Sequence, residues 1–232
     1  MTHVPRISVI IPAYNEQESI VDCMTQFRDC SDDVEIIVVD GGSTDDTLTV
    51  VQAHGGIRCV RHPINGRAMQ LNAGAKEARG SILLFLHADT SLPDRWSDLI
   101  VKSLGDDRVA GGRFRLSISE DTAVFRWIAR GSNFRSRKLG ISYGDQAIYA
   151  AREAFNKVNG FPEIPIFEDS EFCVRLKSVG IFDWIDDPVI TSARRWQSRG
   201  PVRTILLTWI LRLLFLLSVS PETLSRYYRA VR

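Results

Sequence analysis

His87 and Asp89 stand two residues apart at the end of an unbroken apolar run, residues 82–86. An imidazole and a carboxylate so placed can grip a metal ion or, through one, a phosphate. Other polar groups end apolar runs in the same way. Pro12-Ala13-Tyr14-Asn15-Glu16 follows one run and Asp40-Gly41-Gly42-Ser43-Thr44-Asp45 another; Arg67 and Asn72 lie on the third unit. Acids cannot hold a phosphate directly, because like charges repel. A divalent cation between carboxylate and diphosphate removes that conflict. A carboxylate such as Asp40 can instead accept from a base or ribose donor. The plain alternative is that Asp89 caps a turn and His87 is half-buried packing.

Such residues need strands behind them. The run 82–86 is too short for a helix and suits a strand buried on both faces. Residues 6–11, 34–39 and 57–60 read as three more strands. Helices are predicted over 18–27, from Thr44-Asp45-Asp46 onward, and over 67–78. This alternation predicts a parallel, doubly wound α/β sheet with ligands at the carboxyl ends of its strands. Beyond it the pattern mixes. Helices are expected over 96–104, 122–138, 152–158 and 168–179. Strands are expected over 109–119, 146–150, 181–185 and 188–192. The helix 122–138 carries Arg126, Arg130, Arg135, Arg137 and Lys138 with no acid after Asp121. That cluster is suited to an acceptor phosphate or lipid headgroups, or is simply a solvated face.

Net charge is +1, but it is unevenly spread: residues 194–232 hold eight arginines against one acid, leaving −6 on residues 1–193. A basic tail on an acidic body suggests an anionic partner, here a membrane surface rather than nucleic acid. Residues 202–219 are the most apolar stretch. Within them residues 205–219 would span only about 22 Å as a helix, short of the roughly 30 Å of a bilayer core, and Arg212 interrupts them. Thr204, Thr208 and Arg212 recur every four residues as one polar stripe. That predicts a helix lying in a membrane interface or at a dimer contact, with burial on its own domain as the alternative. The cysteines, Cys23, Cys30, Cys59 and Cys173, form no C-x-x-C pair and suit a reducing compartment. The expectation is a cytoplasmic protein that meets the inner face of the membrane.

The segments Ser8 to Glu16 and Val38 to Thr47 together resemble the nucleotide-binding half of the family 2 glycosyltransferases, of the GT-A fold. The resemblance covers residues 6 to about 193, which defines a domain 1–193 and a tail 194–232. Phe85-Leu86-His87-Ala88-Asp89-Thr90 and Gly144-Asp145-Gln146-Ala147 are similar to a subgroup described as radical-SAM/selenodomain-associated transferases, type 2. The resemblance implies a mostly parallel central sheet with helices on both faces. It implies nucleotide-sugar contacts at Pro12, Tyr14, Glu16, Asp40, Ser43, Asp45, Arg67 and Asp89. Asp89 matches the last acid of the family's D-x-D, which binds metal and diphosphate. His87 replaces the first, so manganese or magnesium is implied with His87 as a further ligand, although histidine is a poor ligand for magnesium. Phe167-Glu168-Asp169-Ser170-Glu171 matches the family's Glu-Asp at the acceptor-side helix. Asp169, with Glu168 second, is implied as the base that deprotonates an acceptor hydroxyl in inverting transfer. N-capping of the same helix is the alternative. Asp145 and Gln146 fall on the acceptor or sugar side. Arg194-Arg195-Trp196 resembles a fragment of the processive members' Q-x-x-R-W, placing Arg195 and Trp196 near the departing diphosphate.

The reading is therefore a metal-assisted, inverting transferase using a UDP- or GDP-linked sugar. Its acceptor is left open, with a lipid-linked one among the candidates, and a homodimer is the alternative use of the tail. The rivals are a sugar-phosphate nucleotidyltransferase and a non-catalytic lipid-binding protein. The first usually carries a basic glycine-rich loop after its first strand; the loop here has no glycine, lysine or arginine. A dinucleotide-binding dehydrogenase is excluded, since no G-x-G-x-x-G follows any strand.

Overall fold

The structure, a computed structural model, describes residues 4–62, 66–194 and 200–229. One eight-stranded sheet runs through it in the order β3-β2-β1-β4-β7-β6-β8-β5. The strands are β1 (Ile7–Ala13), β2 (Val34–Asp40), β3 (Ile57–Arg61), β4 (Ile82–Phe85), β5 (Thr90–Ser91), β6 (Val109–Ile118), β7 (Ile148–Ala151) and β8 (Ile181–Thr191). β3, β2, β1 and β4 are mutually parallel, as the βα spacing requires. β7 then runs antiparallel to β4 and β6. β8 pairs parallel with β6 and antiparallel with the two-residue β5.

Alternate residues of the parallel strands enter opposite layers, and both layers are buried. Val9, Ile11, Val38 and Leu84 face one core with Ile20, Met24, Trp96 and Cys23. Ile10, Ile37, Val39, Leu83 and Phe85 face the other with Leu71, Phe172 and Cys173. Strands covered on both sides have no polar face, which is why they read as unbroken apolar runs. The helices are α1 (Ile20–Thr25), α2 (Thr47–Ala53), α3 (Arg67–Glu77), α4 (Trp96–Ser103), α5 (Ala123–Phe134), α6 (Arg152–Lys157) and α7 (Glu168–Lys177), then α8 (Pro201–Leu216) and α9 (Pro221–Arg229).

Three expectations change. The two segments 181–185 and 188–192 are one strand, β8; its pairing with β6 jumps from Phe114↔Ile185 to Arg115↔Pro188, so Asp186 and Asp187 bulge out. The helix 122–138 stops at Phe134 and turns as a π-helical segment, Arg135–Leu139, closed by Gly140 at φ +66°. The strand expected from Gln146 begins at Ile148, after a 3₁₀ turn over Gly144–Gln146.

The tail shows the largest difference. Its polar stripe faces inward. Thr204 and Arg212 are buried, while Leu206, Trp209, Ile210, Leu213 and Leu216 lie outside. Arg212 Nη1 donates to Ser170 Oγ at 2.9 Å and to Glu171 Oε1 at 3.3 Å, both in the first turn of α7. Its guanidinium lies 5.2 Å from the centroid of the Phe167 ring and 5.1 Å from that of Phe215. Leu211 and Leu224 close a small core with Ile166 and Phe167. The tail is thus packed on the domain through a buried cation.

Candidate active site

The carboxyl ends of β1 and β2 carry two loops that are stapled together. Asn15, at φ +54°, donates its N–H to Ser43 Oγ at 3.0 Å and accepts from the Thr44 N–H at 2.8 Å. The Glu16 N–H reaches Thr47 Oγ1 at 2.8 Å, and the Gln17 N–H reaches Asp45 Oδ2 at 3.3 Å. Asp45 is desolvated, but hydrogen bonds from the Thr47 hydroxyl, Thr47 N–H and Gln17 N–H outweigh this and hold its carboxyl below the usual range. Asp40 is buried and accepts from the N–H groups of Gly42 and Ser43, each at 3.1 Å. Beneath both loops the buried Gln70 donates to the carbonyls of Ala13 at 2.9 Å and Val39 at 2.8 Å. These bonds give the strand-end carbonyls a side-chain partner, in addition to the Gly41 N–H that reaches Ala13 at 2.9 Å. Pro12 is half-buried and Tyr14 exposed at the rim of this cleft.

Asp89 follows β4 and is half-buried. Burial and then the nearby Glu16 push its carboxyl upward, while Arg194 and Arg67 pull it back. Arg194 Nη2 meets Glu16 Oε2 at 2.7 Å and Nη1 meets Glu18 Oε2 at 3.7 Å, so an arginine spans the mouth of the cleft. Arg195 and Trp196, the residues expected there, lie outside the described residues.

Arg67 opens α3 and enters the same space. Its Nη1 lies 3.7 Å from Glu168 Oε1. Burial works against its charge, but Glu168, Tyr228 of α9, Asp169 and Asp89 hold the guanidinium protonated, in that order. Glu168 and Asp169 open α7 after Phe167, which sits at φ +66°. Both are nearly buried. Asp169 Oδ2 accepts the Gly144 N–H and its Oδ1 the Ser170 N–H, each at 2.7 Å.

His87 packs on Gly144: a Cβ at residue 144 would lie 2.4 Å from the imidazole Nε2. Its ring helps line a small cavity with Arg67, Phe85, Phe161 and Asp169. Asp145 is half-buried in the 3₁₀ turn. Gln146 is fully buried and donates to the Phe114 carbonyl at 3.3 Å, which braces β6. A larger concavity lies at the amino-terminal edge of the sheet, between Phe27, Cys30, Glu35 and His54; it holds none of the strand-end acids.

The site thus joins Glu16, Asp40, Ser43, Asp45, Arg67, Asp89, Glu168 and Asp169 along one sheet edge. Gln70 is the contributor that escapes a reading of the sequence. Arg194, Gly144 and Arg212 stand in segments the sequence singles out, but their partners Glu16, Asp169 and Ser170 do not show there.

A sequence profile, that of glycosyl transferase family 2, matches residues 8–156. Probable glycosyltransferase YdaM of Bacillus subtilis (strain 168) is 28% identical over 204 residues, 78% of this chain and 48% of its own length. An undecaprenyl-phosphate 4-deoxy-4-formamido-L-arabinose transferase of Pseudomonas fluorescens (strain SBW25) is 30% identical over 152 residues, 60% of this chain and 44% of its own. The chain therefore spans about half the length of the curated relatives it matches. Among solved structures, mannosyltransferase PcManGT from Pyrobaculum calidifontis in complex with GDP-Man and Mn2+ superposes at a TM-score of 0.62 with 26% identity, over 82% of this chain and 57% of that one. S. aureus TarS 1–349 in complex with UDP superposes at 0.65 over 81% of this chain and 60% of that one; at 18% identity that likeness concerns the fold alone.

Proposed function

The chain belongs to glycosyl transferase family 2, and on that premise we propose that it is a metal-assisted, inverting transferase that moves a sugar from a UDP- or GDP-linked donor to a lipid-linked acceptor. One observation carries this reading. Arg67 Nη1 lies 3.7 Å from Glu168 Oε1, lines one cavity with Asp169, and feels the charge of Asp89, so it couples the acid we assign to the donor with the pair we assign to the acceptor. A single cleft therefore holds the means to bind a diphosphate and to accept a proton.

The donor's nucleoside belongs between the stapled loops, where Pro12, Tyr14, Glu16, Ser43 and Asp45 converge. Asp40 shapes that loop through Gly42 and Ser43 and keeps further lone pairs for a base. Burial beside Glu16 leaves Asp89 in a site whose negative charge a divalent cation would relieve. Among the described residues no group of three or more His, Cys, Asp or Glu forms a cage. Asp89 would thus be the protein's ligand to manganese or magnesium, and the donor's own phosphates would supply others. The ion would neutralise the leaving diphosphate. We read His87 as a wall of the site, because its ring packs on Gly144. Arg67 and Arg194 are placed to add positive charge as the diphosphate departs.

On the other side Asp169 takes the acceptor's proton. Its two oxygens are fixed by the N–H groups of Gly144 and Ser170, which aims the carboxylate before any substrate binds. The lipid-linked acceptor is supported by the relative named as an undecaprenyl-phosphate transferase. We read residues 1–193 as the transferase domain and 194–232 as its appendage.

Titrating UDP and GDP into the protein, with and without manganese, tests the donor half. One nucleotide should bind in a metal-dependent way, and Asp89→Ala should weaken it. Absence of binding under every metal overturns the reading. Asp169→Asn should retain that binding and lower turnover by about 10²–10⁴-fold. Unchanged turnover removes Asp169 as the base.

A further inference from the structure

α8 is apolar on both sides. A helix on a water-soluble domain turns its apolar side to the core and its polar side to water. On α8 Leu211 packs inward with the buried Thr204 and Arg212, Arg212 is anchored on Ser170 and Glu171, and the side away from the domain is apolar as well. Its outer face presents Leu206, Trp209, Ile210, Leu213 and Leu216, each 55–63% exposed, with Leu217 just beyond at 67%. These positions recur at three and four residues, so they form one continuous apolar strip. A patch of this size marks an interaction surface.

The neighbouring element shares the property. Ile205 of α8 packs against the small core formed by Ile118, Phe125 and Ile128, with Ala129 of α5 beside it. α5 also keeps apolar groups outside, with Trp127 66% and Phe134 64% exposed. Arg126, Arg130, Arg137 and Lys138 are exposed on α5 and the π-helical segment after it. Of these, Arg126 is ion-paired with Asp121.

We propose that the outer face of α8, with α5 beside it, docks on the surface of an anionic lipid bilayer. Charge decides between the candidate occupants. A second copy of the chain would bring this basic cluster against its own image, whereas anionic headgroups neutralise it. The two exposed tryptophans suit the headgroup depth, where an indole keeps its apolar body in lipid and its N–H in water. α8 has 16 residues, and among the described residues no helix is long and apolar enough to cross a membrane. It therefore lies in the plane of the interface. The surface goes beyond the transfer reaction, since docking needs neither donor nor base.

The test is co-sedimentation of the full chain with phosphatidylcholine vesicles, with and without phosphatidylglycerol. The chain should partition onto the anionic vesicles, and salt should release it. The double variant Trp209→Gln/Leu213→Gln should lose at least about tenfold in partition while its nucleotide titration is unchanged. Arg130→Gln/Arg137→Gln should remove only the gain due to phosphatidylglycerol, again about tenfold. Tryptophan emission should shift to the blue on docking. Partition that is absent, or the same for wild type and both variants, overturns the proposal. So does a concentration-dependent dimer that Leu213→Gln dissociates, which would make the face a contact between copies. Because failure to bind vesicles leaves the nucleotide isotherm intact, it cannot be confused with failure of the transferase reading.

Discussion

Gly144 is where the site is least forgiving. Its N–H is committed to Asp169, and its Cα lies under the His87 ring. A methyl group has no room there. Gly144→Ala is therefore expected to destabilise the fold by about 1–3 kcal/mol and to lower turnover more than nucleotide affinity, as thermal melting, rate assays and titration would show. A silent substitution would mean that neither contact matters. The sequence singles out Gly144 within Gly144-Asp145-Gln146-Ala147 but does not display this demand, which is a close approach between distant segments, not a backbone angle. Asp89 and Asp169 were legible, since each sits where an apolar or helical run begins or ends. Arg194 was not, because its partner Glu16 is 178 residues away.

Glu35 shows how an element is locked. It sits on β2, 11% exposed, and gathers the Ser8 hydroxyl of β1 together with Arg79 and the Gly80 N–H before β4. Burial alone would raise its carboxyl; the Ser8 hydroxyl, the backbone and side chain of Arg79 and the Gly80 N–H outweigh it and hold it low. In the acid range the unfolded chain then binds more protons than the folded one, so stability rises with pH there. The contribution is complete above the ordinary carboxylate range and is lost as pH falls through the lowered value. Glu35→Ala is expected to cost about 1–3 kcal/mol at neutral pH, because it strands buried donors. It should also flatten the acid limb of a stability–pH curve measured by denaturant unfolding; an unaltered limb refutes the assignment. The parallel strands were readable because burial on both faces leaves unbroken apolar runs. β8 was read as two pieces because Asp186-Asp187-Pro188 looks like a stop, and only its partner β6 reveals a bulge.

At the scale of the molecule, periodicity disclosed the stripe on α8 but not its direction. A stripe of one polar residue in four looks the same whether it meets water or a buried serine. The decision lies with Ser170 and Glu171, whose place in space the sequence does not display. Arg212→Ala should cost about 1–3 kcal/mol by stranding those partners, and Arg212→Lys should recover part of it, in thermal unfolding followed by circular dichroism. Equal melting of all three proteins would show that the tail is held by its leucines alone. The sheet that separates two buried layers also places one buried thiol in each, Cys23 on one side and Cys173 on the other. Burial pushes the Cys23 thiol up to about 12 and raises that of Cys173 as well, so neither reacts until its layer opens. The half-buried Cys30 and Cys59 react earlier and mark the start of the record. A thiol reagent then becomes a two-handed clock. Matching rates for Cys23 and Cys173 mean the layers part as one cooperative unit, while a leading Cys173 means the layer that carries α7 loosens first.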